Sequence, residues 1–204
     1  MEKLVLIACE CSQVVATAFR SRGYAAFSCD LVPCYGGHPE WHIIGDAAQV
    51  VKGNSVFVTE SGTQLVVGMW SMIIAHPPCT MLTHSSAVAY SKGLHSDEDI
   101  ARSRSFFLKM LNAPSPMVAV ENPAPMKCAA LPSYNQIVQP YDFGHKYSKR
   151  ICLWLRNLPP LLATHAQVIN HEQWIKHCAG NSRRRSHFWS GIADAMAVQW
   201  GGLM

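Results

Sequence analysis

The chain has 204 residues, 49% of them hydrophobic and only 15% charged, a composition that can build a full core in one compact domain and argues against disorder. Its apolar runs are too short to span a bilayer or to form the hydrophobic region of a signal peptide, and a formal net charge of +4 permits a phosphate-bearing partner without requiring one. With no export signal, the eight cysteines read as reduced thiols of a cytoplasmic protein rather than as a disulfide framework.

Lys3 to Ala8 is a continuous β-prone apolar run, the pattern of a central strand buried on both faces. Val14, Val15, Ala18 and Phe19 then recur at helical spacing, and Arg20, Arg22 and Gly23 close the helix with a cationic last turn and a C′ glycine. Tyr24 to Cys29 reads as a second strand ending at Asp30. This β-α-β opening predicts an α/β fold: a doubly wound, mostly parallel sheet of Rossmann-like type. Pro33 to Trp41 is a surface loop, and Asp46 follows the short apolar pair Ile43-Ile44. Residues 56–58 and 65–67 flank Ser61-Gly62 as a hairpin decorating the sheet.

Ser71 to Ala75 is another buried strand, and it stops at His76-Pro77-Pro78-Cys79-Thr80. Residues 81 to 96 lack periodicity and suit a mobile loop, whereas Ser96 before Asp97, Glu98 and Asp99 starts a helix that continues to Asn112. Met117 to Val120 is the next strand, ending at Glu121-Asn122-Pro123, and Arg150 to Leu155 is one more. After Pro159-Pro160 come a histidine-rich stretch, the run Arg183-Arg184-Arg185, and a helical pattern from Ile192 to Trp200. Trp70, Trp154 and Trp200 read as core residues.

In an open α/β sheet, ligands collect beyond the carboxyl ends of the strands, which brings Glu10, Asp30, Cys79, Glu121 and Arg150 toward one crevice. Two prolines before Cys79 stiffen the turn and fix the direction of its sulfur. Asn122-Pro123 after Glu121 turns the chain away from helix. A thiolate and a carboxyl act together when an electron-poor ring is attacked at carbon while a ring nitrogen is protonated, and cytosine is such a ring. Cys9, Cys11, Cys29 and Cys34 lack the usual zinc-knuckle spacing, so packing explains them better than a metal.

Strand-Pro-Pro-Cys79, strand-Glu121-Asn122 and a basic residue opening a later strand resemble the core motifs of the cytosine-5 methyltransferases, which use S-adenosylmethionine. The resemblance covers residues 3 to 155 and 183 to 200. It implies that Cys79 attacks carbon 6 of cytosine, that Glu121 protonates or hydrogen-bonds ring nitrogen 3, and that Arg150 contacts the base oxygen. It also implies a cofactor site in which Ala8, Glu10 and Ser12 replace the family's glycine-rich loop. Asp30, followed by Leu31, would bind the ribose there, Asp46 the adenine amino group, and Pro77 would complete the wall. Pro78, Thr80, Asn122, Lys149 and Arg183 are the implied substrate contacts, and the C-terminal helix would pack beside the cofactor.

DNA-acting members of that family insert a large target-recognition domain where this chain has only residues 156–182, so it resembles a compact, single-domain form. Cytosine-containing DNA is the implied substrate. A free cytidine nucleotide, a non-catalytic nucleic-acid-binding module and a thiol-dependent pyrimidine reaction without methyl transfer are the alternatives. Residues 81 to 96 would form a lid, and Lys146, Lys149, Arg150 and Arg183 to Arg185 would meet phosphates.

Overall fold

The structure is a computed structural model and describes residues 3–83, 90, 92–93, 95–166, 172–174 and 188–204. Strand β1 (Leu4–Ala8), helix α1 (Val14–Arg20) and β2 (Ala25–Asp30) open the chain, followed by β3 (His42–Ile44) and the short α2 (Ala47–Val50). The hairpin β4 (Ser55–Val58) and β5 (Gln64–Val67) precedes β6 (Met72–Ala75), α3 (Asp97–Leu111) and β7 (Met117–Pro123). Next come β8 (Gln136–Val138), β9 (Tyr147–Ser148), β10 (Ile151–Arg156), β11 (Glu172–Gln173) and α4 (Ser190–Gly201).

Seven strands form one sheet in the order β3-β2-β1-β6-β7-β10-β8. Neighbours from β3 to β7 are parallel, and β10 runs antiparallel to both β7 and β8. From β1 the chain winds outward to β2 and β3 on one side and to β6 and β7 on the other. This is the switch point at which a doubly wound sheet opens a crevice beyond its strands' carboxyl ends.

Side chains alternate across the sheet and are buried on both faces. Val5, Ile7, Met72, Ile74, Ile151 and Leu153 pack under α1 and α4. Leu4, Leu6, Ile73, Val118, Val120 and Trp154 pack with α2 and with Phe107 and Met110 of α3. Trp70, Trp154 and Trp200 are no more than 1% exposed, and their indole N–H groups donate to the carbonyls of Val50, Pro132 and Pro159. Helix α3 starts with the reciprocal Ser96–Asp99 capping box that its sequence announces.

The hairpin β4–β5 forms its own two-stranded sheet, as its pattern predicts. Strand β3 and helix α2 have no clear sequence signal. His42 occupies a fully buried strand position because Ser28 and the Val32 carbonyl satisfy its two ring nitrogens at 2.8 and 2.9 Å. A polar residue thus stands where the pattern calls for an apolar one. The segment expected to be a mobile lid is anchored at its start: Leu82 and Thr83 are buried, Thr83 bridges to Pro125, and Met126 N–H donates to the Leu82 carbonyl at 2.8 Å. Residues 84–89, 91 and 94 lie outside the described residues. The stretch that begins at residue 156, in place of a target-recognition domain, starts as core, because Leu158 and Leu161 are buried and Gln136 bonds both the N–H and the carbonyl of Leu161.

Candidate functional site

The turn after β1 is made without glycine. Cys9 and Gln13 take left-handed φ values of 61° and 60°, each at a cost of about 1–2 kcal/mol. Contacts around the turn offset this. Glu10, 4% exposed, accepts hydrogen bonds from Val15 N–H at 2.8 Å, Ala16 N–H at 3.3 Å and the Ser12 hydroxyl at 3.2 Å. It therefore does the work of an N-cap for α1. The Gln13 amide donates to the His38 carbonyl at 2.8 Å and accepts from His38 N–H at 3.0 Å. Burial raises the Glu10 carboxyl above its ordinary range, against the opposing charge of His76 and the hydrogen bonds.

Asp30 at the end of β2 accepts from Leu31 N–H at 2.7 Å, and Asp46 caps α2 by accepting from Ala48 N–H at 2.9 Å. Both converge on Cys9: burial, then the charges of Asp30, Cys29 and Asp46, push that thiol far up. Cys29 is pushed up to about 12 by burial and the same two carboxylates. Leu31 is 73% exposed and Ile44, opposite Asp30 in the β2–β3 ladder, is 46% exposed. Carboxylates beside exposed apolar side chains suit a nucleoside, with hydroxyls or an amine at the acids and the ring against the hydrocarbon. The buried Ala8 backbone and the left-handed turn border this edge, so the residues present fit an adenosine-bearing group.

The ends of β6 and β7 are stitched together. Asn122 donates its side-chain amide to the Pro77 carbonyl at 2.9 Å, and the Thr83–Pro125 bridge ties the segments that follow. Pro77 is buried, Pro78 and Thr80 are exposed, and Cys79 is half-buried between them. Strand alternation sends His76 and Glu121 to the α1–α4 side and Asn122 to the other. His76 Nδ1 lies 3.2 Å from Glu121 Oε2, and the His76 ring contacts Phe188, just before α4, with centroids 4.5 Å apart. His76 Nε2, Glu121 Oε1 and Asn122 Oδ1 are buried with no hydrogen-bond partner among the described residues. Burial alone would lift the Glu121 carboxyl. The hydrogen bond from His76 and the charges of Lys149 and His76 outweigh it and hold the group below the usual carboxylate range.

The register Ile151↔Pro123 brings Lys149 and Arg150 to this same edge. Their roles divide: the charge of Lys149 acts on Glu121, while exposed Arg150 acts on Cys152, whose thiol burial nevertheless pushes up to about 11. Lys146 pairs with Glu172 at 3.1 Å, which reduces its availability to phosphates. Arg183, with Arg184 and Arg185, lies outside the described residues. The sequence reading missed His76, although a histidine immediately before Pro-Pro at a strand end was its available signal.

A doubly wound α/β sheet with a thiol, a histidine–carboxylate pair and two further acids along its carboxyl edge defines a Rossmann-like protein with a crevice for ligands. No family model matches the chain, and no curated protein matches it. Among solved structures it is similar to an E. coli prophage-encoded protein assigned as a DNA modification methyltransferase, at 13% identity over 76% of this chain, with TM-score 0.43. It is also similar to the Entamoeba histolytica methyltransferase EhMeth, at 13% identity over 82% of the chain with TM-score 0.41. A third is the bifunctional kinase-methyltransferase WbdD, at 13% identity over 91% with TM-score 0.38. The chain spans 46%, 58% and 41% of those proteins, respectively. At these TM-scores the fold assignment rests on the strand order and pairing above. Among the described residues no helix is long and apolar enough to cross a membrane.

Proposed function

We propose that the protein is an S-adenosylmethionine-dependent methyltransferase acting on carbon 5 of cytosine, with DNA as the substrate. The reading is carried by the paired ends of β6 and β7: Cys79 follows two prolines in a turn tied by Asn122 to the strand whose Glu121 keeps a buried oxygen without a hydrogen-bond partner among the described residues. The Cys79 sulfur adds to carbon 6, forming an S–C bond while the C5–C6 π pair shifts onto carbon 5. Glu121 meets the N3–C4 edge, where its carboxylate accepts from the 4-amino group and from the N3–H that forms as N3 takes up the proton given up by the Cys79 thiol, so that the charge building in the ring is neutralised. Arg150 contacts the base oxygen, the His76 hydrogen bond and the Lys149 charge keep Glu121 ionised, and exposed Pro78 and Thr80 border the base.

S-adenosylmethionine, when bound, would supply an electrophilic methyl group. Asp30 would hold its ribose hydroxyls, Asp46 its adenine amino group and Leu31 its ring, while Ala8, Ser12 and Pro77 would line the methionine end. Glu10 contributes by shaping the turn, since its carboxylate is engaged by α1 and Ser12. Loss of the carbon-5 proton to solvent and cleavage of the S–C6 bond restore the ring and the thiol.

The test incubates the protein and its Cys79→Ser variant with methyl-labelled cofactor and separate panels of duplex DNA, single-stranded DNA, RNA and free cytidine nucleotides. Label should appear on cytosine with the wild type and be abolished in the variant, while calorimetric titration finds cofactor affinity preserved. Undiminished transfer by Cys79→Ser would remove the nucleophile, and absent cofactor binding by the wild type would favour a non-catalytic binding module. The same chemistry on a free nucleotide is the second reading, favoured by the pairing of Lys146 with Glu172, which thins the cationic edge a polymer would need.

A further inference from the structure

Nothing in thiol addition requires a histidine at the end of β6, yet His76 is held within hydrogen-bond range of Glu121 at 3.2 Å. An ionised carboxylate can only accept, so Nδ1 carries the hydrogen and donates it to Oε2. One oxygen of Glu121 is thereby pinned, and the other, Oε1, is left buried without a partner among the described residues. A buried acceptor left unsatisfied costs about 1–3 kcal/mol, which a ligand that donates a hydrogen there would recover.

We propose that His76 is a positioning residue that turns Glu121 into a fixed hydrogen-bond acceptor and thereby selects an amino-bearing pyrimidine over its 4-oxo counterpart. This rests on the base-binding reading of the site given above. Cytosine presents a 4-amino donor to Oε1. Uracil presents there a carbonyl oxygen, which cannot donate and meets the carboxylate as a like partial charge; its N3–H is the remaining donor on that edge, and reaching it brings the 4-oxo group against Oε1. A protonated Glu121 could donate to that carbonyl and would lose the distinction, so selectivity follows the ionisation of Glu121.

The groups that bear on the pair come from every side. Glu10 faces the imidazole from the turn after β1, Phe188 covers it from the approach to α4, and the charge of Lys149, ahead of β10, reaches Glu121. Two carboxylates thus surround the imidazole, while the His76 hydrogen bond and the Lys149 charge act on Glu121. Removing the ring leaves Glu121 with burial and Lys149 alone. The acid-side limit of its function should then move upward in pH.

Binding is measured with short deoxyadenosine strands that carry one cytosine or one uracil, across a pH series, and melting curves verify that each variant is folded. The wild type should prefer the cytosine strand by at least about tenfold. His76→Ala should reduce the ratio to near one and shift the acid-side loss of cytosine binding upward in pH. His76→Asn, whose side-chain amide can stand where Nδ1 stands, should restore the preference. A folded His76→Ala protein with wild-type discrimination and pH profile overturns the proposal, and so does a folded His76→Asn protein with no preference. A wild type indifferent to the base overturns instead the cytosine reading on which the proposal rests.

Discussion

Glu10 and Glu121 are both buried acids near His76, and their surroundings push them in opposite directions. Burial dominates at Glu10, whereas at Glu121 the histidine and Lys149 prevail. The linkage at Glu10 has a definite sign. A carboxyl raised on folding contributes stability that is present below its unfolded pKa and is lost as pH rises through its folded value. Wild-type stability should therefore fall as pH rises above the ordinary carboxylate range. Glu10→Gln, which can still accept from Val15 N–H, should lack that decline. Urea unfolding from about pH 4 to pH 8 reads the difference, and parallel pH profiles would clear Glu10 of responsibility. At this scale the placement of Cys79, Glu121 and Lys149 at strand ends was legible, because each has a distinctive neighbour in the sequence. The partnership of His76 with Glu121 was not, because it depends on two side chains emerging on the same face of adjacent strands.

The elements that position the site are held more by loop-on-loop packing than by propensity. The turn between β1 and α1 carries two left-handed residues that are not glycine, and the loop before β3 braces it through the double Gln13–His38 hydrogen bond. Gly36 is where that loop presses closest: a Cβ there would lie 2.5 Å from Gln13 Cβ and 2.6 Å from the Ser12 carbonyl oxygen. Backbone and a buried side chain cannot both yield without moving the turn. Gly36→Ala should cost about 1–3 kcal/mol of stability and weaken S-adenosylmethionine binding. Melting and calorimetric titration measure the two effects, and an unchanged affinity in a destabilised protein would separate the brace from the cofactor site. Strands β1, β2, β6, β7 and β10 were readable as apolar runs. Strand β3 and helix α2 were hidden by buried His42 and by brevity, and the bracing contact by the absence of any local signal for it.

Across the whole molecule, the direction of one strand decides where positive charge meets the crevice. Because β10 lies antiparallel to β7, its amino end, led by Lys149 and Arg150, stands at the carboxyl edge of the parallel strands. A parallel strand would have carried those cations to the opposite end. Sequence identified the strand but not its direction, which is set by the sheet partners it finds. The consequence bears on polymer against mononucleotide. Each phosphate neutralised on a single strand contributes about −0.7 to the slope of log affinity against log salt. Arg150 is assigned to the base oxygen and Lys149 to Glu121, so the slope of the wild-type protein itself is the cleaner probe. If DNA crosses this edge, binding of a cytosine-containing single strand should show a slope clearly steeper than the value of about −0.7 for one phosphate. A slope no steeper than that would mean that at most one phosphate rests on the edge, and the free nucleotide would become the favoured substrate.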